Sequence, residues 1–222
     1  MASDTVFLFD VDNTLLDNDA VSADLKKFLD QEVGVEREQR YWKIFEELRT
    51  ELGYADYLGA LQRYRIEYPT DPHLLELSQF MIDYPFKERV FPGALEVLAS
   101  VSKLGRAVVL SDGDVVFQPL KIRRSGIYDT VAGQVLIYIH KEQELADVER
   151  RFPASHYVLV DDKVRILAAI KQVWGDRVST VFPLQGHYAL DAKQVAAYPA
   201  ADATVEKIGD LLSYDWRGLL ER

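Results

Sequence analysis

An apolar run over residues 6–9 stops abruptly at Asp10. A short run of this kind, bounded by polar residues, predicts a buried strand. The period then changes. Val21, Leu25, Phe28 and Leu29 form one apolar stripe, closed by Gly34. Tyr41, Ile44, Phe45, Leu48 and Leu52 form another, closed by Gly53. Both stripes predict amphipathic helices ending at glycine. A third helix is expected over about 55–67. Asp71-Pro72 reads as a cap followed by proline at the first helical position, which predicts a fourth helix running toward 83. No strand-like stretch interrupts residues 20–83, so they form a helical block.

Beyond Pro92-Gly93 the chain alternates. Ala94, Leu95, Leu98 and Val101 mark a helix, and a strand over 106–110 stops at Ser111-Asp112-Gly113-Asp114. A helix over 117–124 follows, then a strand within 131–139 and a helix marked by Leu145, Val148 and Phe152. The strand over 157–160 stops at Asp161-Asp162. Ile166, Leu167, Ile170 and Trp174 mark the next helix, before a strand over 178–182. A short strand over 203–205 and a helix near Leu212 close the pattern. Such alternation predicts the α/β class, a Rossmann-like parallel sheet flanked by helices and joined by right-handed crossovers. The domain expectation is an α/β core of residues 1–15 and 91–222, interrupted by a helical domain of residues 16–90.

Composition narrows the function. The apolar fraction of 48% suffices for a substantial core. A formal net charge of -10 argues against nucleic-acid binding, which rests on clustered Lys and Arg. Small anionic substrates stay open, because a bound divalent cation reverses a local field. With no Cys, thiolate chemistry and disulfides are excluded, in keeping with a cytoplasmic protein. No basic-then-apolar leader precedes the first strand, so no signal peptide is expected. No run approaches the length of a membrane span.

Three of the expected strands end in polar clusters: Asp10/Asp12, Ser111/Asp112 and Asp161/Asp162. In a parallel sheet these ends share one edge, where open α/β sheets bind ligands. Lys141 follows a fourth strand end, Tyr138-Ile139-His140. These parts suit phosphoryl transfer. Asp10 with the Asp161/Asp162 pair offers hard oxygen ligands for Mg²⁺. Asp10 is placed to attack phosphorus, forming an aspartyl-phosphate. Asp12, two residues on, is placed to protonate the leaving oxygen and later to deprotonate water. Ser111 and the amides near Asp112 and Gly113 would bind phosphoryl oxygens, with Lys141 neutralising charge.

The run Asp10-Val11-Asp12-Asn13-Thr14 resembles the signature of the haloacid dehalogenase superfamily, and Ser111, Lys141 and Asp161/Asp162 fall where its other three motifs would. The inserted helices resemble the cap that many members carry between the first and second motifs. The resemblance implies a nucleophile at Asp10 and an acid/base at Asp12, whose backbone carbonyl also binds Mg²⁺. Dehalogenating members usually lack the second Asp, so Asp12 favours a phosphatase. The second motif is often Ser or Thr followed by Asn-Gly; Asp112 departs from that pattern and sets an extra carboxylate beside the expected phosphate.

The expected activity is therefore Mg²⁺-dependent hydrolysis of a small phosphorylated metabolite by a monomer or homodimer. The alternatives are a phosphomutase, a haloacid dehalogenase and a phospho-acceptor signalling domain that does not turn over. Lys121, in an expected helix, and Lys163, directly after the acid pair, are rivals to Lys141. The cap aromatics Tyr41, Trp42, Tyr54, Tyr57 and Tyr64 are expected mainly in the cap core. Asp17, Asn18 and Asp19 form an acidic turn leading into the cap.

Overall fold

The computed structural model describes residues 5–220. Strand β1 (Thr5–Phe9) is followed by four consecutive helices: α1 (Asn18–Val33), α2 (Val35–Leu52), α3 (Tyr57–Glu67) and α4 (Leu74–Asp83). A 3₁₀ turn at Phe86–Arg89 leads to α5 (Ala94–Val101) and β2 (Arg106–Asp112). Then come α6 (Phe117–Arg124), α7 (Ile127–Thr130), β3 (Val135–Tyr138), a 3₁₀ turn at Lys141–Gln143, α8 (Leu145–Arg151) and β4 (His156–Val160). The chain continues through α9 (Val164–Trp174), β5 (Val178–Pro183), α10 (Gly186–Leu190), α11 (Ala192–Ala196), β6 (Ala203–Val205), a 3₁₀ turn at Ile208–Leu212 and α12 (Arg217–Leu220).

The six strands form one sheet in the order β3-β2-β1-β4-β5-β6, with every pairing parallel. This is the α/β class expected from the alternation. A parallel sheet is buried on both faces, and β1 is buried at every position. Its side chains alternate between two cores. Phe7 and Phe9 join Val158 and Val160 of β4 on one face, while Val6 and Leu8 join Tyr157 and Leu159 on the other. The first core runs on without a break into α1–α4, taking in Leu25, Leu29, Tyr41, Ile44 and Tyr64.

Local chemistry sets several boundaries. The Asp17 side chain accepts from the Ala20 amide and caps α1. Helix α2 ends on Gly53 in the left-handed conformation, φ +81°, and a side chain there would collide with His140 of the sheet region. The fourth helix starts at Leu74, not at the proline after Asp71. Asp71 is instead drawn inward: its Oδ2 accepts from Tyr64 Oη at 2.6 Å and Arg37 Nη1 at 2.8 Å, and its Oδ1 accepts from the His73 amide at 2.9 Å. Three short helices, α7, α10 and α11, lie where periodicity predicts none, each too brief to carry a 3.6-residue stripe. Near Leu212 the expected helix is a 3₁₀ turn. No described helix is long and apolar enough to cross a membrane.

Candidate active site

Every strand end flagged by its polar cluster reaches the same edge of the sheet. Asp10 directly follows β1, and its amide donates to the Val160 carbonyl of β4 at 3.0 Å. Pairing β1 with β4 therefore brings Asp10 beside Asp161 and Asp162. Thr14 fastens the two loops: its hydroxyl lies 3.4 Å from Asp10 Oδ2 and accepts from the Asp162 amide at 3.0 Å. Asn13 takes a positive φ of 61°, which Asn tolerates better than most residues. Its Oδ1 accepts from the Asn18 and Asp19 amides, so the turn after the acids is tied to the start of α1.

Asp10, Asp161 and Asp162 are all buried, and each can direct one carboxylate oxygen to a common point, with those atoms within 4.8 Å of one another. Lys141, wholly buried, offsets part of this charge. Its Nζ donates to Asp10 Oδ1 at 2.5 Å and to the Leu110 carbonyl at 3.3 Å. The same ammonium is 2.7 Å from Asp161 Oδ2, though off the direction of a hydrogen bond. Both Asp162 oxygens and Asp161 Oδ2 are buried and accept no hydrogen bond. Burial and the neighbouring carboxylates push the Asp161 carboxyl up to about 6 and the Asp162 carboxyl well above its ordinary value, against the opposing pull of nearby lysines. Burial alone would lower the Lys141 ammonium, but Asp10 and Asp161 hold it well above its usual range.

The Lys141 ammonium answers Asp161 Oδ2, but both Asp162 oxygens are left orphaned, and orphaned carboxylate oxygens at this depth are costly unless a cation or a proton reaches them. A hard divalent cation fits the donor set: clustered oxygens with no nitrogen or sulfur ligand among them. Asp10, Asp161 and Asp162 are the side chains that would hold it; Asp12, expected as a ligand through its backbone carbonyl, does not bring its carboxylate into the cluster.

Asp12 stands apart from this cluster. Lys121 of α6 donates to its Oδ1 at 2.7 Å, and Gln118, also of α6, lies 3.4 Å from its Oδ2. Gln118 donates to Ser111 Oγ at 2.9 Å as well. Asp112 turns one oxygen to the Lys141 amide at 2.7 Å, so this carboxylate holds the turn that carries Lys141. Burial raises its carboxyl, with Lys141 opposing. Of the three candidate lysines, Lys141 meets Asp10 and Asp161, while Lys121 meets Asp12. The ammonium of Lys163 sits 5.2 Å from the Tyr188 ring.

A cavity of about 940 Å³ opens between the helical block and the sheet edge. Asp12, Asp112, Gly113 and Lys121 line its sheet side, while Trp42, Phe45 and Tyr54 line the opposite side. Its rim is bridged where Arg49 of α2 meets the Tyr188 hydroxyl and where Asp19 lies 2.6 Å from His187 Nδ1. Motif reading passes over Gln118 and weighs Lys121 only as a rival to Lys141. Their signal is spacing: two polar residues three apart on one face of α6, both buried beside Phe117 and Ile122.

No protein-family model and no curated protein matches the sequence. Among solved structures, a protein described as a haloacid dehalogenase-like hydrolase from Burkholderia xenovorans LB400 is 62% identical, with 96% of this chain and 97% of that one covered and a TM-score of 0.91. The HAD-hydrolase YfnB from Bacillus subtilis, in a magnesium-bound form, is 18% identical over 94% of this chain and 97% of its own, with a TM-score of 0.62. L-2-haloacid dehalogenase from Xanthobacter autotrophicus is 19% identical over 93% and 96%, with a TM-score of 0.61. The last two share the fold. The first, at that identity and coverage, places the chain in its family: this protein is a haloacid dehalogenase-like hydrolase.

Proposed function

We propose that this hydrolase is a Mg²⁺-dependent phosphatase acting on a small phosphomonoester through an aspartyl-phosphate on Asp10. The observation that carries the reading is the separation of the two acids of the first motif. Asp10 sits in the carboxylate cluster with Lys141, whereas Asp12 lies on the cavity wall, held by α6. Two carboxylates in different surroundings suit two jobs.

In the first step an Asp10 oxygen attacks phosphorus as the bond to the leaving oxygen breaks, and Asp12 in its acid form gives that oxygen its proton. In the second, Asp12 as carboxylate takes a proton from water as the water oxygen attacks phosphorus, releasing inorganic phosphate and restoring Asp10. Lys141 holds Asp10 in place and balances charge beside it. Ser111, with the Asp112 amide, is assigned to the phosphoryl oxygens; the Gly113 amide, expected to join them, instead donates to the Tyr138 carbonyl at 3.0 Å. A cation held by Asp10, Asp161 and Asp162 would offset phosphate charge and let the anion approach a carboxylate nucleophile. The helical block restricts the cavity to small substrates and screens it from bulk water.

The test is phosphate release from an aryl phosphate by purified protein with Mg²⁺. Activity that disappears in Asp10→Asn and on chelation is expected. Turnover indifferent to chelation contradicts the metal assignment. Halide release from a 2-haloacid, with no phosphate release from any phosphomonoester, contradicts the phosphatase reading.

A further inference from the structure

Lys121 is 1% exposed, and its ammonium is answered by one carboxylate and one amide oxygen: Asp12 Oδ1 at 2.7 Å and Asn18 Oδ1 at 2.8 Å. The rings of Phe117 and Tyr57 flank it at 5.5 and 6.0 Å. An ammonium withdrawn from water this far is expensive unless its partners are held in good geometry. They are. Asn18 stands at the start of α1, fixed by Asn13 Oδ1 accepting from its amide, and its own side chain donates to the Tyr57 hydroxyl of α3 at 3.3 Å. The Tyr57 hydroxyl also meets Ser22 Oγ at 2.9 Å. On the other side of Asp12, Gln118 lies against Oδ2. Both oxygens of Asp12 are thus held from one helix, α6, and the stronger hold runs on into the helical block.

From this geometry we infer that Lys121 is a positioning residue for Asp12: it fixes the carboxylate at the cavity wall for proton transfer, and through Asn18 it makes that position depend on the seating of α1 and α3. The inference rests on the phosphatase reading. A proton donor matters most when the leaving oxygen is a poor leaving group and least when the group departs readily as an anion. Displacing Asp12 should therefore slow the first step for an alkyl phosphate and largely spare it for 4-nitrophenyl phosphate.

The experiment compares wild type, Lys121→Met, Lys121→Arg, Asp12→Asn and the Asp12→Asn/Lys121→Met double variant. Each, in excess over substrate, is mixed with 4-nitrophenyl phosphate or with an alkyl phosphate, and release of nitrophenolate or of alcohol over a single turnover reads the first step for both. In Lys121→Met, alcohol release from the alkyl phosphate slows by about 10²-fold, the lower end of what a positioned acid contributes, while nitrophenolate release stays near wild type. Lys121→Arg recovers part of the loss. The double variant is no slower than Asp12→Asn, because residues acting through one group do not add. If Lys121→Met does not fold, Asn18→Ala carries the same test and shows the same bias toward the poor leaving group. Equal losses on both substrates, or additive losses in the double variant, overturn the role of Lys121 and leave the phosphatase reading standing. Wild type that hydrolyses neither substrate overturns both.

Discussion

At the scale of single residues, the site is a problem of charge. Three buried carboxylates meet one ammonium in direct contact, Lys141, with Lys163 acting on them from farther off, and three carboxylate oxygens are left without a hydrogen bond. Removing Lys141 should expose that imbalance. Lys141→Met leaves Asp10 and Asp161 uncompensated, and breaking a buried pair in this way costs about 3–5 kcal/mol. The variant is expected to lose that much stability in metal-free buffer, measured by urea unfolding, and to regain part of it when Mg²⁺ is added, since a ligand that binds only the folded state stabilises it. A variant as stable as wild type without metal would show that Lys141 does not balance the cluster. The acids and Lys141 were legible in the sequence because each stands at the end of an apolar strand, where a polar residue is conspicuous. Thr14 closes the first motif, but its bridge to the Asp162 amide depends on β1 pairing with β4 and has no local signature. Lys121 and Gln118 lay inside a helix, where a polar residue reads by default as solvated, and only the packing of α6 turns them inward.

At the scale of elements, long periodic stretches declared themselves and short ones did not. The stripes of α1 and α2 and the strands β1, β4 and β5 follow the apolar pattern closely. The start of α4 does not, because Asp71 is recruited by residues far from it in sequence, Arg37 of α2 and Tyr64 of α3. Helices α10 and α11 also escaped notice, yet Tyr188 of α10 meets Arg49 across the cavity rim. Asp71 carries a prediction about the helical block. Burial by itself would raise its carboxyl, but hydrogen bonds from Tyr64 and the His73 amide, with the Arg37 guanidinium, hold it below its ordinary value. A carboxyl whose folded value is depressed contributes stability above its unfolded value, and that contribution is lost as pH falls through the folded one. Urea midpoints of wild type should therefore drop more steeply below about pH 4 than those of Asp71→Asn, which lacks the titrating group and is less stable at neutral pH. Parallel curves for the two proteins would remove Asp71 from the acid sensitivity of the fold.

At the scale of the whole molecule, the proposed function has the sheet set where chemistry happens and the helical block set what reaches it. Strand order puts β2, β1 and β4 side by side, so the loops bearing Ser111, Asp10 and Asp161 must converge. The shared core means that α1–α4 pack on the same apolar surface as the front of the sheet, and the chain of contacts from Asp12 through Lys121 and Asn18 to Tyr57 crosses that boundary. In this account, recognition of the phosphoryl group belongs to the strand ends and the choice of its organic portion belongs to cavity residues such as Trp42 and Phe45. The central claim is that Asp10 carries the phosphoryl group during turnover. Its most direct test is acid quenching of the Mg²⁺-loaded protein during turnover of 4-nitrophenyl phosphate, followed by peptide mass spectrometry. The account predicts one phosphoryl group on the peptide containing Asp10 in wild type and none in Asp10→Asn. Steady release of phosphate with Asp10 unmodified would contradict it.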